Sequence, residues 1–420
     1  MKILWFTNTP SQYDQGKHAY HGGGWIESLE DLVVKEGGIE LAISFFHISD
    51  NIKIKKKNTL YYPILRKRGK SNIFKTLSDN YKTNIESEKQ YIPRFKKILD
   101  DFNPDIIHVF GTEGIFSTIQ NHTNIPVVIH LQGLINPLLN TYYPPNISKW
   151  DFILNSNYLL SNLFASSPYF VQKKMKKMAK REEKNMKNAK FIMGRTNWDK
   201  SFSKLYAPNA EYFHVDEVLR DVFYANKINN KNYDNGIKIV STISPTIYKG
   251  IDVVLKTAKL YKDKFGFSLN WKIAGLYKND KLLKFFEKKL NINHQDYGVE
   301  CLGSLNHIDL LNVLKKSNLF IHPSYIDNSP NSVCEAQILE LPVIACNVGG
   351  VSTIIKHRKT GVLVSANGIM ELVIAIKECI DHPVIYNKLA EEGREMAQKR
   401  HDKSKILSDI MNVYTTIKNK

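Results

Sequence analysis

The sequence has few of the features that mark secreted, membrane-spanning or zinc-binding proteins. Its four cysteines in 420 residues are scattered and form no Cys-x-x-Cys pair, a pattern that argues against a zinc site and fits buried, reduced thiols. No window reaches the roughly 18 consecutive apolar residues that a transmembrane helix needs. After Met1 and Lys2 only four apolar residues, Ile3 to Phe6, precede Thr7, which is too few for a signal peptide. These absences predict a cytoplasmic protein without a metal site.

Acidic residues are also scarce relative to basic ones. The chain has 41 Asp and Glu against 59 Lys and Arg, which gives a formal net charge of +18. Such an excess favours nucleic acid, an anionic membrane face or phosphorylated small molecules as partners. A lysine-rich composition spread over solvated faces explains the charge equally well. Since no nucleic-acid-binding motif accompanies the charge, we predict no nucleic-acid partner and leave a membrane surface open.

Short apolar runs alternate with amphipathic helical stretches in both halves of the chain. Runs that are apolar on both faces are typical of strands covered by helices on each side, so the pattern predicts an α/β fold with two parallel sheets. The predicted strands are Lys2–Phe6, Asp105–Phe110, Val127–Leu131, Ile237–Ser241, Trp271–Gly275, Leu319–His322 and Pro342–Cys346. Residues 226–236, rich in asparagine, are the predicted linker between a first domain, 1–225, and a second domain, 237–402. A last helix, about 403–420, has no strand after it and is expected to pack back on the first domain.

The stretch 322–337 has the pattern of a strand end, a loop and the start of a helix. In open parallel sheets ligands bind at the carboxyl ends of the strands, so a ligand is expected at this loop. Ser329 is the predicted N-cap of the helix and Pro330 its first residue. The next two amides, of Asn331 and Ser332, then point outward with the positive end of the helix dipole, where a pyrophosphate would bind.

Two carboxylates and two glycines surround this helix start. Glu335 lies four residues after Asn331 on the same helix face, where it can accept hydrogen bonds from two vicinal hydroxyls, as on a ribose. Asp327, in the loop before the helix, can reach a sugar hydroxyl. Gly349 and Gly350 follow the next strand and permit a close approach of the backbone to a ligand.

Taken together, these residues resemble the signature of glycosyltransferase family 4, whose members have the GT-B fold of two Rossmann-like domains facing across a cleft. In that family two glutamates, separated by seven residues, hold the donor sugar and the nucleotide ribose. Asp327 and Glu335 have this spacing, and aspartate replaces the first glutamate. The resemblance therefore implies that Asp327 contacts the sugar and Glu335 the ribose of a nucleotide-sugar.

Three further segments extend the resemblance over most of the chain. The glycine triplet that ends in Gly23 and Gly24 resembles the family's loop that faces the donor phosphates and the acceptor. Lys249 resembles the lysine that neutralises the departing diphosphate, and a fixed cation is what the growing negative charge requires. Residues 194–199 resemble a motif of one branch of the family, although a helix N-cap explains them as well.

Two positions depart from the family pattern. An arginine that usually clamps the diphosphate, about six residues before the lysine, is Ile243 here, which leaves Arg195 and Arg220 as candidates for a second cation. A histidine that often ends the third predicted strand of the first domain is Gln132, and glutamine cannot act as a base. His130, two residues earlier, is then the candidate catalytic histidine, with a structural role as its alternative.

The resemblance implies a retaining, metal-independent glycosyltransferase without a cofactor. Its donor would be a nucleotide-sugar that carries a hexose or related sugar, with a UDP-sugar favoured over a GDP-sugar. Its acceptor would be a hydroxyl of a glycan or lipid-linked molecule in surface polysaccharide or glycolipid assembly, and the departing phosphate would take the proton of that hydroxyl. The alternatives are a non-catalytic protein that binds a nucleotide or an anionic surface on the same fold, and an epimerase or phosphorylase.

An aromatic and leucine-rich stretch, 142–169, precedes a basic helix at 173–190. Such a pair can rest on anionic lipid, or it can be a buried helix beside a solvated one. Because Glu182 and Glu183 interrupt the basic face, the second interpretation is favoured, and a peripheral position on the inner face of the cell membrane is left open.

Overall fold

The chain folds around two β-sheets, each covered by helices. The computed structural model describes residues 1–13, 24–48, 53–66, 81–228 and 236–420. The strands of the first sheet are β1 (Lys2–Thr7), β2 (Glu40–His47), β3 (Ile54–Lys56), β4 (Thr59–Leu65), β5 (Ile106–Phe110), β6 (Val127–His130), β7 (Phe191–Gly194) and β8 (Glu211–His214). They lie in the order β3-β4-β2-β1-β5-β6-β7-β8, and the neighbouring pairs are parallel except β3 with β4.

The second sheet is wholly parallel. Its strands are β9 (Lys238–Thr242), β10 (Asn270–Ala274), β11 (Val299–Gly303), β12 (Leu319–His322), β13 (Val343–Cys346) and β14 (Val362–Val364). They lie in the order β11-β10-β9-β12-β13-β14. The order of strands reverses between β9 and β12, and ligands of such sheets bind beyond the carboxyl ends of the strands at that reversal.

Helices fill the connections between the strands. Before β9 the described helices are α1 (Gly24–Glu36), α2 (Glu88–Phe102), α3 (Ile135–Asn140), α4 (Lys149–Ile153), α5 (Leu159–Leu163), α6 (Pro168–Lys187), α7 (Asn197–Tyr206) and α8 (Asp221–Tyr224). After β9 they are α9 (Ile251–Phe265), α10 (Lys281–Leu290), α11 (His307–Lys315), α12 (Asn331–Ile338), α13 (Val351–Ile354), α14 (Ile369–Asp381), α15 (Pro383–Arg400) and α16 (Lys403–Lys418). Short 3-10 turns occur at Phe116–Asn121, Ser156–Tyr158, Ile247–Lys249 and His294–Tyr297.

Burial on both faces of the central strands explains their continuous apolar composition. All five residues of β5 are buried, and so are all four of β12 and of β13. The seven strands predicted from apolar runs are confirmed, with ends that differ by at most one residue from the observed ones. The predicted α/β fold with two parallel sheets is therefore confirmed.

The last helix, α16, packs on the first sheet, as predicted. Ile406 and Ile410 of α16 are buried in the core cluster that also contains Trp5 of β1. The Tyr414 hydroxyl accepts a hydrogen bond from the Trp5 indole at 2.9 Å and lies 2.7 Å from Nδ1 of His108. The end of the chain thus completes the core of the first domain.

The segment around the predicted linker is tied to the second domain. Residues 229–235 of that linker lie outside the described residues. Just before them, Leu219, Phe223 and Ile228 are buried in the core cluster of the second sheet. The Ile228 amide donates to the Leu339 carbonyl at 2.9 Å. The chain therefore packs on the second domain several residues before it enters β9.

The aromatic stretch of the first domain is only partly buried, which corrects the interpretation as a buried helix. Phe152 and Tyr158 are buried, and Phe152 stacks on Phe285 of α10 with ring centroids 4.3 Å apart. All four of its leucines, by contrast, are exposed to solvent. The interpretation failed because the stretch forms short helices that bury single side chains in the second domain and leave the others outside. In the described part of the chain, no helix combines the length and apolar character needed to cross a membrane.

Candidate functional site

The carboxyl ends of the two sheets face each other, and Asn328 joins them. Its amide group donates to the Gln132 carbonyl at 2.9 Å and to Asp199 at 2.7 Å, and its Oδ1 accepts from the Thr196 hydroxyl at 2.9 Å. Asn328 belongs to the loop after β12, whereas its three partners follow β6 and β7 of the first sheet. The loop that the sequence singled out therefore lies at the contact between the two domains.

Lys249 and Asp327 form an ion pair inside this cleft. The Lys249 ammonium lies 2.6 Å from Oδ2 of Asp327, and Nε2 of His322 lies 3.1 Å from the same oxygen. Burial alone would raise the pKa of Asp327, but the neighbouring ammonium and imidazole hold that pKa well below its ordinary value. Asp327 is therefore ionised at neutral pH, beside a cation that could bind an anionic ligand. His322 was not predicted as part of this group, although it ends β12.

The glycine pair after β13 is packed against the loop that carries Asp327. Gly349 has a φ of +52°, and a Cβ on it would overlap the carbonyl oxygen of Asp327. The Gly350 amide donates to that same carbonyl at 3.1 Å. The glycines thus allow two loops to approach each other and fix the backbone of Asp327.

Gly349→Ala is expected to destabilise the protein and to displace Asp327. The new methyl group adds overlap with a backbone carbonyl to the strain of a positive φ, so the free energy of unfolding should fall by about 1–3 kcal/mol beyond the strain alone. Gly266→Ala is the matched control, because Gly266 has a φ of +81° and open space around the added Cβ. Thermal unfolding of both variants measures this difference. Equal losses of unfolding free energy would show that the overlap with the Asp327 carbonyl adds no destabilisation.

The start of α12 differs by one residue from the prediction. Pro330 has extended backbone (φ −70°, ψ 108°) and precedes the first helical residue, so Ser329 is not the N-cap. The reason is that the Ser329 hydroxyl donates to Oε1 of Glu217 at 2.6 Å and is not available to the helix. Asn331 and Ser332 are then the first two helical residues, whose amides have no acceptor within the helix. Asn331 Oδ1 is buried and, among the described residues, has no hydrogen-bond partner.

Glu335 is buried on α12 and held by Arg220. Nε and Nη2 of Arg220 donate to the same oxygen, Oε1, at 2.9 and 2.6 Å. Burial raises the pKa of Glu335, and the guanidinium partly offsets that rise. Arg220 also passes over Gly24, where a Cβ would come within 2.9 Å of the Arg220 Cδ. One arginine thus connects the end of the glycine-rich loop to the predicted ribose site.

The structure separates the two candidates for a second cation. Arg195 is almost fully buried, and its guanidinium donates to the Gln132 carbonyl at 3.0 Å and lies 3.9 Å from Glu217. Arg220 is more exposed, at 29% of its side chain, and lies beside Glu335. Arg220 is the better placed of the two, whereas the Arg195 carbonyl accepts a hydrogen bond from Arg400 of the second domain at 2.9 Å, so Arg195 is part of the contact between the domains.

Glu217 is a buried group that the sequence gave no reason to select. It lies 3.6 Å from Arg400 and accepts a hydrogen bond from Ser329. Burial would raise the pKa of Glu217, but Arg400 and Arg195 hold it well below its ordinary value. A carboxylate oxygen of Glu217, Sγ of Cys334 and a ring nitrogen of His401 lie close enough together to approach one metal ion, yet two arginines already supply the positive charge there. Glu217 therefore joins the domains electrostatically.

His130 lies inside the first domain. Its side chain is fully buried, with Nδ1 3.3 Å from His108 and its ring against Trp25 at a centroid distance of 5.5 Å. Burial and the charge of Arg195 lower the pKa of His130 to about 3, so it is neutral at physiological pH. These contacts are those of the structural alternative rather than of a group at the cleft surface. Gln132 presents its carbonyl to the domain contact.

Glu113 is a second carboxylate that sequence reasoning missed. Its Oε1 accepts a hydrogen bond from the Gly133 amide at 2.7 Å. Together with burial and Asp327, the charge of Glu113 raises the pKa of Tyr248 in the second domain. Burial raises the pKa of Glu113 to about 7, partly offset by hydrogen bonds to backbone amides. Glu113 follows β5, and its carboxyl group lies beside Gly133, the residue after Gln132. Gly23 of the glycine triplet lies outside the described residues, and Gly24 begins α1.

Comparison with known families and proteins agrees with this geometry. The family described as "Glycosyl transferases group 1" matches residues 224–396, which contain Lys249, Asp327 and Glu335. An uncharacterized glycosyltransferase of Haemophilus influenzae is 29% identical over 152 residues, 36% of this chain and 41% of that protein. The capsular polysaccharide biosynthesis glycosyltransferase CapM of Staphylococcus aureus is 24% identical over 113 residues, 27% of this chain and 30% of that protein. The chain thus matches less than half the length of these relatives.

Solved structures resemble the whole chain at low identity. A sucrose-phosphate synthase from Thermosynechococcus elongatus superposes with a TM-score of 0.72 at 14% identity, covering 99% of this chain and 98% of that one. Anabaena HepE, solved in complex with UDP and glucose, superposes with a TM-score of 0.64 at 13% identity, covering 99% of both chains. At these identities the likeness establishes the fold. The chain has the GT-B fold of glycosyltransferases, and its second domain carries the group 1 match.

Proposed function

We propose, from a GT-B fold whose second domain matches the glycosyltransferase group 1 family, that this protein transfers a sugar from a nucleotide-sugar to a hydroxyl acceptor. The observation that carries the proposal is the pair of Lys249 and Asp327, 2.6 Å apart at the carboxyl ends of β9 and β12. A sugar–phosphate bond needs a cation on its phosphate side and a hydrogen-bond acceptor on its sugar side. This pair supplies both within one contact, beside the first turn of α12.

The proposed donor lies along α12 from its first turn to Glu335. The amides of Asn331 and Ser332 and the Lys249 ammonium hold the diphosphate, since an N-terminal helix turn and a lysine both favour phosphate oxygens. Glu335, one helical turn further on, accepts the ribose hydroxyls through its carboxylate. Asp327 orients the sugar. When the bond between the anomeric carbon and the phosphate breaks, the electron pair goes to the phosphate, and the positions of Lys249 and these amides stabilise that charge.

Arg220 is the proposed replacement for the cation that Ile243 cannot provide. Its guanidinium already lies at Glu335 in the donor site. A rotation of the Arg220 side chain from Oε1 toward the diphosphate would free Glu335 for the ribose. Lys249 and Arg220 would then together neutralise the two phosphates, and no metal ion is required for that charge.

The proposal also specifies the donor, the acceptor and the place of the reaction. HepE was solved with UDP and glucose, and by analogy we favour a hexosyl donor attached to UDP, transferred with retention. CapM is named for capsular polysaccharide biosynthesis, and on the same analogy the acceptor is a glycan or lipid-linked precursor of a surface polysaccharide. The reaction would take place in the cytoplasm, on the inner face of the cell membrane.

The donor site is tested by thermal stabilisation with a panel of nucleotide-sugars. A ligand that binds only the folded state adds about 2.7 kcal/mol at one hundred times its Kd. UDP-glucose or another member of the panel is therefore expected to raise the unfolding temperature by several degrees, whereas glucose alone should leave it unchanged. A panel of UDP- and GDP-sugars without any stabilising member would contradict the proposed donor site.

A further inference from the structure

Exposed apolar side chains are concentrated in one short part of the molecule. Seven of the eighteen large apolar side chains that are exposed among the described residues lie between residues 150 and 171. The most exposed of them is Leu154, at 80%, followed by Leu159 at 69%. A soluble monomer scatters such side chains, and a local concentration marks a surface that binds something apolar.

This apolar segment is fixed by contacts with the second domain. Phe152 and Tyr158 are buried against the second domain, where Phe152 stacks on Phe285. Asp151 forms an ion pair with Lys289 at 2.5 Å. The amide group of Asn162 donates to the carbonyls of Phe152 and Ile153, which closes the segment on itself. Because these contacts fix the inward-facing residues, the leucines between them project outward.

A strongly basic helix face follows directly in the chain. The exposed lysines near the start of α6 are Lys173, Lys174, Lys176, Lys177 and Lys180. Glu182, which seemed to interrupt this face, is fully buried. Its carboxylate accepts hydrogen bonds from the Thr112 hydroxyl at 2.5 Å and from the Asn136 amide at 2.9 Å, so it points into the first domain. Glu183 remains the exposed acid at this point of the helix.

We infer that this apolar–basic surface, the leucine-rich segment 150–164 with the lysines of α6, docks the protein on an anionic lipid bilayer. Leucine and tryptophan side chains insert into the interfacial region, while lysines beside them bind anionic headgroups. The Lys149 ammonium lies 5.0 Å from the Trp150 ring, a pairing of cation and aromatic ring suited to the headgroup level. A protein partner would also cover apolar side chains, but five neighbouring lysines and a net charge of +18 complement a bilayer of anionic lipid.

The inference does not depend on the chemistry in the cleft. Residues 150–164 pack on α10 through Phe152 and Tyr158, and none of them belongs to the proposed donor site. Docking there would leave the cleft intact. Loss of vesicle binding and loss of sugar transfer are therefore separable results.

Sedimentation with vesicles tests the surface. The full chain is expected to bind vesicles of phosphatidylglycerol and phosphatidylcholine (3:7) at least tenfold more strongly than vesicles of phosphatidylcholine alone, and salt should weaken this binding. Leu159→Asp with Leu160→Asp should reduce the partition coefficient at least tenfold. Replacing Lys173, Lys174 and Lys176 with glutamine should reduce it roughly a hundredfold, since each lysine near an anionic surface contributes about fivefold.

Two matched controls remove equivalent side chains elsewhere. Met370→Asp with Val384→Asp changes two exposed apolar residues of the second domain, and Lys204, Lys264 and Lys388 changed to glutamine remove the same charge from other faces. Both controls should bind vesicles like the unaltered protein, and circular dichroism should show every variant folded. Equal binding to both vesicle types, or an unchanged partition coefficient in the leucine variant, would overturn the inference. A dimer that becomes monomeric in the leucine variant, without vesicle binding, would overturn it in favour of a second copy of the chain.

Discussion

Lys249→Ala is expected to lower the rate of sugar transfer by about 10²–10³-fold. The ammonium lies 2.6 Å from Asp327, at the point where the proposed donor breaks. Negative charge grows on the phosphate only as that bond breaks, so the loss should appear mainly in kcat and less in donor affinity. Removal of one preorganised group that stabilises such charge costs about 2.7–4 kcal/mol in activation free energy. Steady-state kinetics with the donor identified by thermal stabilisation measures the effect.

A second lysine of the same domain supplies the control for this prediction. Lys256 forms an ion pair with the buried carboxylate of Asp252 at 2.7 Å on α9. Lys256→Ala removes an equivalent charge and an equivalent ion pair, and kcat should stay within about twofold of its original value. Lys249→Arg should recover part of the rate, since it restores the charge but not the position of a primary ammonium. A Lys249→Ala variant that transfers sugar at the original rate would contradict the role given to the pair.

Arg220→Gln is expected to weaken UDP binding by at least tenfold while leaving the affinity for uridine nearly unchanged. The guanidinium has one partner in the donor site, Glu335, and only a ligand with a diphosphate offers it a new one. Hydrogen bonds to charged groups are worth about 1.5–3 kcal/mol, which corresponds to this loss. Glu335→Gln should instead weaken UDP and uridine by the same factor, because both ligands carry the ribose. Calorimetric titration of the two ligands into both variants measures these four affinities.

The difference between the ligands separates two roles of the arginine. If Arg220 only positions Glu335, its removal should weaken uridine as much as UDP, and the proposed phosphate contact would be wrong. Arg358 provides the control, because it pairs with Glu378 through two hydrogen bonds, at 2.7 and 3.3 Å, on an exposed face of the same domain. Arg358→Gln should change neither affinity. An unchanged UDP affinity in Arg220→Gln would show that the arginine takes no part in donor binding.

Local patterns in the sequence were sufficient for the fold and for the placement of two candidate residues on one loop and helix. Asp327 and Glu335 are close to each other in the chain, so their spacing predicts that both border the start of α12. Glu335 is indeed buried on that helix, with Asp327 beside Lys249. Apolar runs also predict the central strands, because a strand that is buried on both faces is apolar along its whole length and not only at alternate residues.

Contacts between distant parts of the chain could not be predicted in this way. Arg220 is 115 residues from Glu335 in sequence, and no local pattern links them. Glu113 looks like an ordinary loop residue until the Gly133 amide is seen to bind it. The cap of α12 was misplaced because Ser329 donates to Glu217, a partner 112 residues away. Sequence composition favours a buried helix for the leucine-rich segment, because apolar composition alone does not tell which side chains face inward.

Release of nucleoside diphosphate from the stabilising nucleotide-sugar tests the central claim most directly, because it separates a transferase from a binding protein on the same fold. Coupled detection of the diphosphate, with water or an added hydroxyl acceptor, measures it. The protein is expected to turn over its donor repeatedly, and Lys249→Ala should release diphosphate at least a hundredfold more slowly under the same conditions. Donor binding without any release, by the unaltered protein at saturating donor, would contradict the transferase and leave a nucleotide-binding protein with a GT-B fold.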